Sequence, residues 1–307
     1  MILLAGVPLL IAVLLGLSSV RLAGTLRPRT AAPLLTGLAL TVSLCTGLVL
    51  SVAAVLACAE FRPLAQRGHW SANALRDDSG LPTALGVLAL LVVAGCLTAA
   101  TVRAVRTMRV LVSATRAAKL LHPAAGNLVL VQDDVPTAYS VAAASGGRIV
   151  VSTSMLRALA PPERRALLAH EAAHLRHRHY LYLHLTQLAA AGNPLLRPLV
   201  GVVAHTLERW ADEDAATAVG DRRLAAHALA RAALAGAGRP GAPGALAAAQ
   251  SRVAERVGAL LAPPPVHRRA SAIAIVGAGL LCWIASVTIA IWGNAVVQLA
   301  ETAYLRH

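Results

Sequence analysis

The sequence predicts an α-helical membrane protein of about four spans with a mainly helical cytoplasmic domain that carries a small β-sheet. Three observations lead there. Hydrophobic residues make up 57% of the 307 residues and charged residues only 14%, against roughly 25% charged in soluble chains. Mean hydropathy is +0.65. The apolar residues gather into four long runs, on the scale of the ~30 Å hydrocarbon layer, and arginines cluster beside these runs.

The first run, Ile2–Val20, has no basic residue before it and Arg21, Arg27 and Arg29 after it. A cleaved leader carries its positive charge in front, so this order fits an anchor with its N-terminus outside. The second and third runs are Pro33–Cys58 and Leu81–Val102. Between them, 60–80 is polar and mixed in charge. Beyond the third come Arg103, Arg106, Arg109, Arg116 and Lys119 with no acid among them. The positive-inside rule then places 21–32 and 103–120 in the cytoplasm and 60–80 outside. The fourth run, Ala270–Val297, follows Arg268 and Arg269 and leaves Glu301–His307 outside. The expected organisation is 1–102 as three spans with an outer loop, 103–266 as a cytoplasmic domain, and 267–307 as a fourth span with a short tail. This is a multi-pass protein of the cytoplasmic membrane. The apolar stretch 180–203, interrupted by Gly192-Asn193-Pro194 and by Arg197-Pro198, is expected as broken helix that packs on the domain or grazes the bilayer. A fifth membrane element there is the alternative.

A net charge of +14 would point to nucleic acid in a soluble chain. Here Lys119 is the one lysine, and aromatics at 3% are too sparse for base-stacking platforms. No direct nucleic-acid contact is expected. Cys45, Cys58, Cys96 and Cys282 lie in or at the ends of apolar runs without CxxC spacing, so they are expected as buried thiols rather than metal ligands.

The chemistry lies in Pro161–Tyr180, PPERRALLAHEAAHLRHRHY. Pro161, Pro162 and Glu163 fit a helix first turn. His170 and His174 are four apart, so both rings project from one helical face. Two neutral imidazoles can hold zinc, and Glu171 between them can reach the open water position as general base. Random placement at this composition gives roughly 0.01 HExxH occurrences. The plain alternative is a surface helix whose histidines titrate near neutrality. A third ligand from HExxHxxGxxH is excluded, because 177 is His and 180 is Tyr. The candidate is Glu208, from a later helix, which completes a two-His, one-Glu set. Asp212, one turn on, would orient a ligand imidazole or handle a proton; an ordinary acidic turn with Glu213 and Asp214 is the alternative.

HExxH followed by Glu208-Arg-Trp-Ala211-Asp212, with GGRIVVSTSMLRAL (146–159) upstream, resembles the integral-membrane gluzincin metallopeptidases over about 129–261. Two branches compete, the BlaR/MecR type and the HtpX type with its CAAX prenyl protease relatives. Three spans before the domain and one after resemble the BlaR/MecR layout. The resemblance implies a zinc endopeptidase with His170, His174 and Glu208 as metal ligands and Glu171 and Asp212 as catalytic residues. It also implies a strand beside the active-site helix that binds substrate by β-addition, and regulatory cleavage of the protein itself or of a cytoplasmic transcriptional repressor. The chain ends at His307 directly after the last run, so a β-lactam-sensing role is not expected. The expected partners are a protein or peptide substrate, the lipid bilayer and that repressor, with a homodimer as candidate assembly. An HtpX-type quality-control protease and a non-catalytic signalling scaffold remain alternatives.

Smaller features complete the reading. Met108–His122 is expected as a basic amphipathic helix continuing the third span. Asn127–Asp133, Ala138–Ala144 and Arg148–Thr153 are expected as a hairpin or meander around Gly146-Gly147. His177 and His179, alternating with Arg176 and Arg178, are expected at a solvated helix end. Tyr180, Arg256 and the lone histidines His184, His205 and His227 are candidate donors to a transition-state oxyanion. Gly236–Gly244 is expected as a linker, and Ser251–Leu261 as a short amphipathic helix.

Overall fold

A computed structural model of the chain describes residues 2–120, 125–143, 147–237, 243–264 and 268–305. His122, Gly146, most of the Gly236–Gly244 linker, Pro265, His267 and the last two residues of the tail lie outside the described residues.

The chain opens with α1 (Ile2–Gly24) and α2 (Pro28–Ala59). Two short helices, α3 (Arg62–Gly68) and α4 (Ala72–Ser79), fill the stretch expected as an outer loop, and α5 (Thr83–Leu120) runs on from the third apolar run through the basic segment without a break. Strands β1 (Leu128–Val131), β2 (Ala138–Val141) and β3 (Arg148–Ser152) follow, then α6 (Thr153–Ala158), α7 (Pro161–Arg176) and α8 (His179–Gly192). A 3-10 turn, Pro194–Leu196, leads into α9 (Arg197–Val219), and α10 (Arg222–Gly236), α11 (Pro243–Leu261) and α12 (Arg269–Tyr304) complete the chain. Helices α1, α2, α5 and α12 are each long and apolar enough to cross a membrane. Their outer faces carry bare aliphatic side chains such as Leu17, Leu91, Ile284 and Ile291, a surface that water disfavours and lipid accepts.

Helix α2 is the axis of this bundle, touching α1, α5 and α12. Small residues set the close approaches. A side chain at Gly293 would come within 2.6 Å of Val52 Cγ1, and one at Gly86 within 2.9 Å of the Ala53 carbonyl. The two short helices are tied to the bundle by polar contacts. Arg76 Nε of α4 donates to the buried Glu60 carboxylate at 3.3 Å, and Trp70 Nε1, between α3 and α4, donates to the Ala59 carbonyl at 2.8 Å.

The stretch 180–203 departs from its expected place. It is broken as expected, into α8, the 3-10 turn and the start of α9, but this hairpin is driven into the bundle instead of lying on the domain. Ala189, Ala190, Leu196, Leu199 and Val203 share one buried core with Leu35, Ala39 and Val42 of α2 and Ala12 of α1. Two polar rungs fix its depth. Thr186 and Thr36 hydroxyls meet at 3.1 Å, and Asn193 Nδ2 donates to Thr46 Oγ1 at 3.2 Å. The two threonines of α2 are ten residues apart, so the tip lies about 15 Å deeper along the bundle than the first rung. Alanine, glycine and threonine on α8 permit the approach, and Asn193 satisfies the opened backbone by accepting from Leu195 N at 3.2 Å.

The sheet order is β1-β3-β2, with β2 antiparallel to β3 and β1 parallel to it. The β2–β3 hairpin is as expected; the parallel β1 corrects the meander. Its turn requires Gly147 at φ +77°, where a side chain would press on the Val141 carbonyl at 2.5 Å. Strand β3 sits centrally because Ile149 and Val151 bury against Leu167, Leu168, Ala172 and Leu175 of α7. This leaves β2 as an edge strand beside α7. The start of α7 is fixed by Glu163, whose Oε2 accepts from Ala160 N at 2.8 Å and pairs with Arg231 of α10 at 3.2 Å.

Candidate metal centre

Helix α7 presents His170 and His174 one above the other, and α9 crosses in front of them with Glu208. The two Nε2 atoms are 3.2 Å apart, and Glu208 lies 3.6 Å from each, through Oε2 to His170 and Oε1 to His174. Zinc bonds of about 2.0–2.1 Å at tetrahedral angles put ligand atoms about 3.3 Å apart. One donor atom from each of the three residues lies within 4.8 Å of the others, and the donor set of two imidazoles and a carboxylate fits a divalent cation. The structure brings together all three expected ligands, with Glu171 and Asp212 beside them.

Asp212 is buried, which removes the solvated-turn alternative. Its Oδ1 lies 3.0 Å from His170 Nδ1, the geometry that holds an imidazole in the tautomer with Nε2 free. Arg256 of α11 clamps the carboxylates from the far side. Its Nε and Nη2 donate to Asp212 at 2.8 and 2.6 Å, and Nη1 lies 2.9 Å from Glu208 Oε2. Arg256, one of the candidate oxyanion donors, thus engages both carboxylates. Glu171 is 9% exposed. Burial raises its pKa, with the positive charge of His170 working against that.

Two further corrections concern His177 and His179. Periodicity places both at a solvated end, since five residues beyond His174 falls on another face of a continuous helix. The helix does not continue. Arg178 takes a left-handed conformation at φ 52°, which turns the chain sharply into α8 and folds His179 back beneath the site. His179 is 3% exposed, and its Nδ1 lies 2.9 Å from His174 Nδ1. His177 stacks on Trp210 with ring centroids 4.5 Å apart and meets Asp214 at 2.7 Å. His179, Trp210 and the clamp role of Arg256 are the features that sequence reasoning missed. A non-glycine turn between two helices leaves no residue signature that would have revealed the place of His179.

The metal-free site carries a proton. Burial opposes charge on His170, but hydrogen bonds to Asp212 and Glu208 outweigh it and raise its pKa to about 9. Burial and the neighbouring His170 lower His174 to about 4. Glu208 is depressed to about 2, burial being overcome by His170 and Arg256. His170 therefore stabilises the metal-free fold fully below its ordinary 6.5, and this contribution fades as pH rises through about 9. Binding of a divalent cation must expel that proton. Titration calorimetry in buffers of differing ionisation heat is expected to show close to one proton released at pH 6, falling towards none above pH 9 once any contribution from bound water is subtracted. No release at pH 6 would mean that His170 is already neutral.

A cleft of about 700 Å³ opens on one side of these residues, lined by Tyr139 and Ser140 of β2 and by Tyr180, His205 and Arg252. On the other side a smaller apolar pocket of about 250 Å³ is lined by Ala166, Leu167, Leu229, Ala232 and Val253. Both reach His170, Glu171 and Glu208. His184 lies outside the cleft, hydrogen-bonded to Gln187 at 3.2 Å.

Residues 103–193 match the model of Peptidase family M48. That segment is similar to the family; it includes His170, Glu171, His174 and His179 and stops short of Glu208, Asp212 and Arg256. The chain is also 36% identical over 100 residues to the plastoglobule-localized metallopeptidase 48, chloroplastic, of Arabidopsis thaliana. That alignment covers 31% of this chain and 29% of the relative, so the chain spans less than a third of the curated relative it matches. No solved structure matches.

Proposed function

We propose that the chain is a membrane-anchored, zinc-dependent endopeptidase whose ligands are His170, His174 and Glu208. The observation that carries this reading is the convergence of their donor atoms, the two Nε2 atoms 3.2 Å apart and each 3.6 Å from a different Glu208 oxygen, with the buried carboxylate of Glu171 beside them. A zinc ion held there supplies Lewis acidity, lowering the pKa of a water towards ~7 and polarising a peptide carbonyl. Glu171 accepts the proton of the attacking water and passes it to the leaving amine, a role that its raised pKa favours. Asp212, fixed by Arg256, holds the His170 ring in place. An extended substrate lies along the free edge of β2, where backbone hydrogen bonds provide affinity and the apolar pocket receives a flanking side chain.

The four apolar helices anchor this activity in the cytoplasmic membrane, and the arginine distribution supports a cytoplasmic metal site. Between the finer readings, the hairpin seated among α1 and α2 favours an HtpX-type protease acting on membrane proteins over cleavage of one repressor.

The test uses detergent-purified protein. About one zinc per chain, cleavage of casein or of the chain itself, loss of cleavage on chelation and recovery with zinc are expected. Absence of bound metal after reconstitution would sink the reading. A broad fragment pattern supports quality control, and a single cut supports a regulator. Impermeant thiol labelling of cysteines placed at Asp77 and Ser113 in intact cells checks the orientation, with only the first expected to react.

A further inference from the structure

We propose that His179 is a positioning residue. Its Nδ1 accepts a hydrogen bond from His174 and thereby selects the tautomer of His174 whose Nε2 lone pair faces the metal position. This inference rests on the metal-site reading above.

The two Nδ1 atoms face one another at 2.9 Å, so one ring must donate and the other accept. If His179 donates, the proton of neutral His174 sits on Nε2, pointing towards His170 Nε2 only 3.2 Å away. That proton then occupies the place a cation needs. If His174 donates, its Nε2 is free and the proton of His179 sits on its own Nε2. A cation at the three ligand atoms therefore requires the second arrangement, and His179 is the only hydrogen-bond partner described for His174 Nδ1.

The surroundings fix the His179 ring. It is 3% exposed, and it packs 4.8 Å from the Trp210 ring and 5.7 Å from His177, centroid to centroid. Its Nε2 has no hydrogen-bond partner among the described residues. A buried polar nitrogen left without a partner is costly to keep, and the cost falls on a ring whose other nitrogen addresses a metal ligand. The two ligand imidazoles thus have different supports: His170 leans on the carboxylate of Asp212, and His174 on a neutral ring. The neutral support adds no further negative charge to a site already holding Glu171, Glu208 and Asp212.

The test compares the full chain in detergent with His179→Phe, which keeps the packing and loses the acceptor, and His179→Asn, whose Oδ1 stands near the place of ring Nδ1. Zinc and cobalt affinities are measured by competition with a chelator, alongside the cobalt absorption spectrum and the melting temperature of the metal-free protein. His179→Phe is expected to bind about 10–100-fold more weakly with an altered cobalt spectrum, and His179→Asn to recover most of that loss. Equal affinity of His179→Phe and wild type overturns the inference. So does an Asn variant as weak as the Phe variant, which would reduce His179 to packing. If His179→Phe does not fold, the cobalt-loaded wild type decides by proton magnetic resonance. Two slowly exchanging, paramagnetically shifted N–H signals are expected, one per ligand imidazole, and a single one overturns the inference. None of these readouts uses peptide cleavage, so an inactive protein that binds metal leaves the inference testable. A wild type that binds no metal removes both readings at once.

Discussion

Glu171→Gln is expected to lower peptide cleavage by about 10²–10⁴-fold and to leave metal content unchanged. The side chain stands next to the group of His170, His174 and Glu208 without belonging to it, so its loss removes a proton acceptor and no coordinating atom. Glutamine matches its volume and also relieves the burial of a charge, so the fold is not weakened. Turnover of a quenched peptide, measured with zinc content on the same preparations, checks this. Cleavage persisting near the wild-type rate would show that another group takes the proton, and the role given to Glu171 would fall.

Arg256→Met is expected to have the largest effect on stability. Asp212 and Arg256 side chains are only 5% and 11% exposed, and removing one partner of a buried ion pair costs about 3–5 kcal/mol. Most of that cost belongs to Asp212, because Glu208 is 39% exposed and water can solvate it. The loss should be greatest in metal-free protein and smaller with zinc present, since a bound cation replaces part of the missing positive charge. Denaturant unfolding in detergent with and without chelator measures both. A cost below about 1 kcal/mol, the level of exposed pairs, would mean that solvent reaches the clamp.

The parts of this molecule that local rules govern were legible in the residues. Four long apolar runs became long helices, the third running on through the basic segment to Leu120, because hydrophobic length is a property of the segment itself. His170 and His174 met because four residues make about one helical turn; Glu208 was legible only through the resemblance of its segment to the gluzincin pattern. What stayed hidden depends on where the chain turns. Arg178 gives no sign that it adopts a left-handed conformation, yet that one residue moves His179 from an expected surface to the interior. The parallel pairing of β1 with β3 was hidden as well, since alternation specifies a strand and not its neighbour. The seating of 180–203 was missed for a related reason: its glycine, asparagine and proline mark a break, but only the threonines of α2 show what receives it.

The hairpin tip held at Thr46 means that the packing runs across the division expected near residue 103. Cutting the chain there to obtain a water-soluble enzyme would uncover Ala189, Leu196, Leu199 and Val203, which now lie against α1 and α2. At roughly 25 cal/mol per Å² of apolar surface, that exposure would unseat the arms that begin at His179 and lead to Glu208. The bundle of apolar helices therefore acts as the foundation of the candidate metal site, and the smallest folding unit of this chain is expected to include it.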